Sequence, residues 1–260
     1  MTDMAAVERA LRRDPLLQIY CIGDLDDFYR PFTSWFASTA GGEISEIALL
    51  YKGQELPTLL ALSRNGEGMA DLVISILHLL PAVFYAHVSP GVEAAFTGTH
   101  ELDSHGTHLK MALADPSIPG SCDVSDTVEI GPSDLEEVLA FYRKCYPGNW
   151  FDPRMLETRM YFGIRDGGGL ASLAGVHVYS AEYGVAALGN IATDPARRNR
   201  GFGRRVTARL CMELLGRVRI IGLNVKADNL PAIACYRGLG FADVAPYGEY
   251  RVRRKRVEVR

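Results

Sequence analysis

With 260 residues, the chain can hold one large domain or two of about 100–150 residues each. A 23% charged fraction and a formal charge of −3 exclude a chain-wide polyanion binder and confine any basic function to local patches. The longest apolar run, "LVISILHLLPAVFYAHV", is broken by His78, Pro81 and His87, which excludes a spanning helix, and the opening "MTDMAAVERALRRDP" lacks the apolar core of a secretory signal.

In chain order, Met4–Arg13 reads as a helix and Leu16–Leu25 as a second. Strands are expected around Ser34–Ser38, Ile44–Tyr51 and Thr58–Leu62. "GMADLVISILHLL" predicts a helix, "AVFYAHV" a strand and "THLKMALA" a closing strand. Prolines, glycine and serines in "ADPSIPGSCDVSD", Ala114 to Asp126, mark a boundary. The expected organisation is an N-terminal α/β domain over 1–115, a linker over 116–126 and a C-terminal domain over 127–260.

Beyond the boundary, "DTVEIG" alternates as a short strand. "PSDLEEVLAFYRKCY" has proline and acids at its start and bases at its end, which suits a helix dipole. "PRMLETRM" predicts another short helix. "YFGIRDGGGLASLAGVHVYS" predicts two strands joined by the glycine turn at Asp166–Gly169, and "YGVAALGNIAT" a third. Val206, Leu210, Cys211, Leu214 and Leu215 fall at helical spacing, so Phe202–Leu215 reads as an amphipathic helix. "VRIIGLNV" is a β-branched strand. "NLPAIACYRGLGF" is a helix with Asn229 at its N-cap, Pro231 in its first turn and Gly238 or Gly240 at its end. This order, β-α-α-β-β-β-α-β-α-β, makes the fold class α/β of the α+β type.

A faint internal repeat is visible. "SRNGEGMADLVISILHLLPAVFYAHV" aligns with "RRNRGFGRRVTARLCMELLGRVRIIGLNV", so that Gly66 and Gly68 fall on Gly201 and Gly203. Five cysteines without a CxxC pair point to reduced thiols, a cytoplasmic address and no metal site; Cys211 and Cys235 fall inside predicted helices as small buried groups. His100, His105 and His108 lack the carboxylate pattern of a metal cluster.

"PARRNRGFGRRV" lies between a strand and a helix, and its glycines carry the information. Gly201 and Gly203 let the backbone approach a ligand closely, and a helix start offers unpaired N–H groups and about half a positive charge. With Arg198, Arg200 and Arg204 around that point, a pyrophosphate is the natural guest. A dinucleotide fingerprint fails at Val206, and a Walker loop lacks its Gly-Lys-Ser ending. A nucleic-acid surface would spread its bases over a face, although the tail "RVRRKRVEVR" adds more of them. A solvated basic helix end would account for the arginines alone, and for Arg197, Arg205 and Arg209 in particular, but not for the paired glycines.

On these residues the chain resembles the GNAT superfamily of acetyl-coenzyme A-dependent N-acyltransferases. The family signature Gln/Arg-x-x-Gly-x-Gly/Ala is matched by Arg198-Asn199-Arg200-Gly201-Phe202-Gly203, preceded by "NIATDP". Downstream, Asn229, Ala232, Tyr236, Gly240 and Phe241 match Asn-x-x-Ala-x-x-x-Tyr-x-x-x-Gly-Phe. The resemblance covers roughly Thr127 to Tyr250. It implies a mixed, mostly antiparallel sheet flanked by helices and, if the repeat is real, two tandem GNAT-like domains, the first degenerate with Ser63 in place of the loop arginine.

The resemblance further implies acetyl-coenzyme A as cosubstrate, held by Ile191, Ala192 and Thr193, by the loop Arg198–Arg204, and by Asn229 and Tyr236, with no metal. Acyl transfer needs the thioester carbonyl polarised, the amine deprotonated and the leaving thiolate protonated. Tyr236 is the implied proton donor. The family's frequent glutamate is replaced here by Ala187, leaving Asn190 to orient a water, or His177 or Glu182 to accept a proton directly. "CYPGNWF", Cys145 to Phe151, falls where the family places its acceptor segment, and packing onto the core explains Trp150 equally well. The expected function is direct acetyl transfer to an amine-bearing acceptor in a ternary complex, with neither membrane nor nucleic acid as partner. The alternative is a coenzyme A-binding sensor that no longer transfers.

Overall fold

The computed structural model describes residues 3–53 and 55–255. The last five residues of the basic tail therefore lie outside the described residues. The chain divides into two compact units. Unit 1 comprises the chain up to Lys110, Lys226–Asp228 and everything from Val244; unit 2 comprises Met111–Val225 and Asn229–Asp243. This differs from a linear split at 116–126, because two long strands change unit partway. The sequence offered only local turn signals there, and such signals cannot report which unit a strand pairs with.

Unit 1 begins with helices α1 (Met4–Leu11) and α2 (Ile19–Gly23), followed by strands β1 (Thr33–Ala40), β2 (Glu43–Tyr51) and β3 (Thr58–Ala61). Helix α3 (Gly66–Ile76) leads to β4 (Val83–Val88), and β5 (His100–Leu113) ends the run. The strand expected at 107–114 is thus much longer, since His100–Ser104 also pair. Within unit 1 the order is β1-β2-β3-β4 followed by the last strand, β11 (Phe241–Arg254), with β3 and β4 parallel and the other pairs antiparallel. Its core packs Met69, Leu72, Val73 and Ile76 of α3 on Leu50, Leu59, Phe84 and Val88. These apolar positions recur at i, i+3, i+4 and i+7, so a single face of α3 is covered.

Unit 2 holds β6 (Val128–Glu129), α4 (Leu135–Cys145), β7 (Phe162–Asp166), β8 (Gly169–Ser180), β9 (Val185–Thr193), α5 (Phe202–Leu215), β10 (Ile220–Lys226), α6 (Leu230–Arg237) and the start of β11 (Phe241–Arg254). The segment "PRMLETRM" forms a short 3-10 turn, Pro153–Thr158, rather than an α-helix. The order is β10-β9-β8-β7-β6, with β9 and β10 parallel and the rest antiparallel. Val206, Leu210, Cys211 and Leu214 bury the inner face of α5. Each unit therefore repeats three antiparallel strands, a helix and a parallel fourth strand, the plan that the Gly66/Gly201 alignment anticipated.

Gly240 explains one motif position in purely steric terms. Its φ is +91°, and a Cβ there would lie 2.5 Å from the Asp115 carbonyl oxygen. The Gly240 carbonyl in turn accepts from the Ala114 and Asp115 N–H groups at 2.9 and 3.1 Å. Gly240→Ala combines a left-handed strain with a backbone clash, so it should cost about 2–4 kcal/mol. Urea unfolding of the variant should show the midpoint falling, with the slope unchanged.

Candidate functional site

The site of unit 2 starts with two irregularities in the β8–β9 ladder. Pairing steps from Val176↔Leu188 to Val178↔Ala187, which makes His177 the extra residue of β8. It steps again from Gly175↔Gly189 to Leu173↔Ala192, so Asn190 and Ile191 together oppose Ala174. Asn190 adopts φ +55°, a left-handed conformation seldom taken by side-chain-bearing residues. Such bulges bend a strand and re-aim its side chains. The parallel ladder between β9 and β10 accordingly stops at Leu188 and Leu223, while β9 runs on to Thr193 and β10 to Lys226. Beyond those residues the two strands are not paired with each other. Ser172 and Leu173 pair with Thr193 and Ala192, so one edge of this segment is committed to β8 and the other is released by β10.

At the end of β9, Asp194 caps a turn by accepting from the Ala196 N–H at 3.1 Å, and it holds Lys144 of α4 at 2.7 Å. The hydrogen bond from Lys144 keeps its carboxyl below the usual carboxylate range, although its side chain is only 5% exposed. Asn199 and Gly201 follow at φ +62° and +75°. Gly201 is the N-cap of α5, and no side chain caps the helix there. The first N–H groups of α5 therefore face outward with the positive end of its dipole, as an anion site requires. A Cβ on Gly203 would meet Thr193 Oγ1 at 3.1 Å, so the first turn of α5 lies tight against the end of β9.

The structure sorts the arginines. Arg200 binds Asp166 at 2.6 Å and lies 4.6 Å from the Phe202 ring, and Arg205 binds Asp126 at 2.9 Å and lies 5.0 Å from the same ring. Arg197 is shared between Asp166 and Asp194, and Arg209 pairs with Glu213. Arg198 and Arg204 have no ion pair among the described residues. Arg200, expected as a supporting charge, is thus largely engaged in bracing the loop.

On α6, Asn229 Oδ1 accepts from the Ala232 N–H at 3.3 Å, so this side chain serves as the helix cap. Tyr236 is 8% exposed, with its ring 6.1 Å from that of Phe241. Burial raises its phenol pKa well above the ordinary value, which keeps it protonated at any working pH.

Asn190, expected to orient a water, is bonded to its protein neighbours. Its Nδ2 donates to Tyr161 Oη at 3.1 Å, its Oδ1 accepts from Asn149 at 3.2 Å, and its carbonyl accepts from Tyr142 Oη at 2.7 Å. It is 3% exposed, and this network holds the bulge. Nothing in the sequence marks Tyr142, Asn149 or Tyr161 for this task, because the three converge only through the bulge. His177 is half-buried, edge-on to Trp150 at 5.4 Å. Its ring fills the space where a Cβ on Gly189 would stand, 2.3 Å away. Glu182 lies exposed in the β8–β9 turn, at the end of β9 away from α5. Ala187 is fully buried.

The corresponding parts of unit 1 are built shut. β3 carries no left-handed residue, and its ladder with β4 runs to Ala61↔Val88. The Ser89 N–H then donates to the Ala61 carbonyl at 3.2 Å, and the Ser63 N–H to Ser89 Oγ at 2.9 Å. Helix α3 is capped by Asn65, whose Oδ1 accepts from the Gly68 N–H at 3.2 Å. The three histidines of β5 diverge. His100 lies between Phe84 and Phe96, His105 stands against Tyr85, and His108 faces Glu249 at 3.5 Å together with His87.

Residues 135–241 match the family model described as Acetyltransferase (GNAT) family. The chain is 38% identical over 114 residues to the [ribosomal protein bS18]-alanine N-acetyltransferase of Escherichia coli (strain K12), which covers 42% of this chain and 75% of that protein. It is 37% identical over 101 residues to the mycothiol acetyltransferase of Kineococcus radiotolerans, covering 39% of this chain but only 31% of that relative's length. The fold is similar to that of a tandem GNAT protein from the clavulanic acid biosynthesis pathway, with a TM-score of 0.58 and 18% identity over 96% of this chain and 95% of that one.

Asn190→Ala should act on stability. Taking the Nδ2 donor from the buried Tyr161 hydroxyl, and placing alanine at φ +55°, should cost about 1–3 kcal/mol in denaturant unfolding. If Asn190 instead bound a catalytic water, the loss would appear in turnover with the unfolding midpoint unmoved.

Proposed function

The chain belongs to the GNAT acetyltransferase family, and from that premise we propose that unit 2 transfers an acetyl group from acetyl-coenzyme A to an amine-bearing acceptor. The observation that carries this reading is the uncapped start of α5, beside the point where β9 and β10 stop pairing. There the outward N–H groups and the unpaired Arg198 and Arg204 suit a pyrophosphate, and the free edge of Ile191–Thr193 suits the amide-bearing arm attached to it. The bound thioester supplies the acyl group and the leaving sulfur. Asn199, Phe202 and Gly203 belong to the same grip by backbone, and Asn229 fixes the α6 start that carries Tyr236.

In this reading Tyr236 gives its proton to the sulfur as the carbon–sulfur bond breaks and the carbon–nitrogen bond forms. Its buried, protonated phenol is suited to that step. His177, the only histidine of unit 2, takes the proton that the ammonium must lose. Its position at a bulge, against Trp150 and across Gly189, supports this assignment and makes the 145–151 segment the acceptor wall. No covalent enzyme intermediate is needed, since the amine attacks the thioester directly. The fully buried Ala187 offers no acid or base from the middle of β9.

Tyr236→Phe should lower kcat by about 10²–10⁴-fold while leaving the KM for acetyl-coenzyme A within a few-fold. Thiol release on a panel of primary amines reads this, and unchanged turnover would remove Tyr236 from the mechanism. Persistent coenzyme A binding without turnover on any amine would favour the sensor.

Calorimetric titration of the full chain with coenzyme A should give one site, weakened by Arg198→Ala. Two sites would mean that the stitched β3–β4 end of unit 1 opens. No site at all would remove the donor assignment itself.

A further inference from the structure

Unit 1 opens its sheet one strand away from the place where unit 2 does. The β2–β3 ladder ends at Leu49 and Leu60, leaving the chain around Glu46 and Ser63 unpaired across the gap. Side chains from the first helices take up carbonyls there. Gln18 Nε2 donates to the Leu62 oxygen at 2.7 Å, and the Arg13 guanidinium donates to the Ile44 oxygen at 2.5 Å. The result is a cavity of about 360 Å³, walled by Leu11, Arg13, Gln18, Glu46, Ser63 and Asn65 among others. In unit 2 the equivalent gap is closed, because Ser172 pairs with Thr193 and the Asp194 N–H donates to the Ala171 carbonyl at 2.8 Å.

Glu46 gives this cavity its chemistry. The residue is 8% exposed, and its carboxylate has no hydrogen bond or ion pair among the described residues. It lies at the first turn of α3, where a Cβ on Gly68 would come within 3.3 Å of Oε1. The Gly68 N–H that it would otherwise accept is already taken by Asn65. Of the other wall charges, Arg64 binds Asp14 at 2.7 Å, and Arg13 keeps its positive charge but is held at the edge of the gap by donating to the carbonyls of Ala10 and Ile44. The carboxylate lines the cavity without a protein donor among the described residues, and a ligand rich in N–H groups would supply charge-assisted hydrogen bonds to it. The volume sits at the lower end of the range for small-molecule pockets.

We propose that this cavity of unit 1 is a second ligand site, taking a small molecule that presents a primary ammonium or guanidinium group to Glu46. It is independent of the donor site in unit 2, since no residue is shared. Its ligand has the opposite charge: backbone N–H groups at α5 suit an anion, whereas in this cavity the Glu46 carboxylate suits a cation.

The test titrates the full chain with agmatine and n-butylamine, against 1-butanol and butyrate as neutral and anionic counterparts. Calorimetry and the thermal midpoint are read together. The cations should bind at one saturable site and raise the midpoint, and the counterparts should not. Glu46→Gln should weaken cation affinity at least tenfold. Ser45→Lys, at an exposed position on the rim, should weaken it similarly by supplying an internal ammonium. Saturating coenzyme A should leave the cation affinity unchanged, so failure of the donor assignment and failure of this one are read separately. Absence of cation binding at 10-millimolar order (~10 mM, well above ordinary metabolite-site affinities) would overturn the proposal. So would equal binding to folded Glu46→Gln or Ser45→Lys, because the cation would then sit elsewhere. A fall in thermal midpoint for Glu46→Gln with cation affinity intact would make Glu46 only the counter-charge of α3.

Discussion

A single left-handed residue, Asn190, sets the terms for unit 2. A strand that stays regular would keep its parallel neighbour paired to the end. Asn190 and Ile191 instead crowd against Ala174, the strand bends, and pairing with β10 lapses two residues before the bulge. That conformation is strained for a residue with a side chain, so it persists only where surrounding contacts over-determine it. Tyr142, Asn149 and Tyr161 do so by taking up the carbonyl and both polar ends of the Asn190 side chain. The site is a defect in a sheet, held open by a buried polar network.

The two units differ in whether that defect is present. β3 has no left-handed residue and stays zipped to β4, with Ser63 and Ser89 extending the closure beyond the strands. The next helix, α3, is capped by its own Asn65, whereas α5 begins on a bare glycine. A cap of this kind is worth roughly a few tenths of a kcal/mol over a glycine. α5 forgoes that small increment, and its first N–H groups have no side-chain acceptor. The same strand–helix–strand plan thus yields an uncapped helix start in one copy and a sealed joint in the other.

Charge distribution around α5 shows a similar division. Asp166, Asp126 and Asp194 hold Arg200, Arg205 and Lys144, so most of the basic run braces the loop against its neighbours. Exposed pairs of this sort contribute little to stability, yet several on one loop limit how far it can wander. Arg198 and Arg204 are left without an ion pair among the described residues.

Much of this was legible in the residues alone. Hydrophobic period, caps and turn glycines marked nearly every helix and strand, and the spacing of Gly201 and Gly203 marked the strand-to-helix turn that opens α5, because these depend on neighbours a few positions away. The left-handed Gly201 and the cap Asn229 are local features of this kind. What the sequence leaves open depends on distant partners. The Asn190 side chain is engaged by Asn149 and Tyr161, which lie 41 and 29 positions away. Arg200 is paired with Asp166, 34 positions away. The linear domain split missed the strands that change unit, since strand pairing is chosen by non-local contacts. Sequence determined the elements and the backbone chemistry of the loop; tertiary structure decided which side chains were left over to act, because a polar group's availability depends on what folding brings beside it.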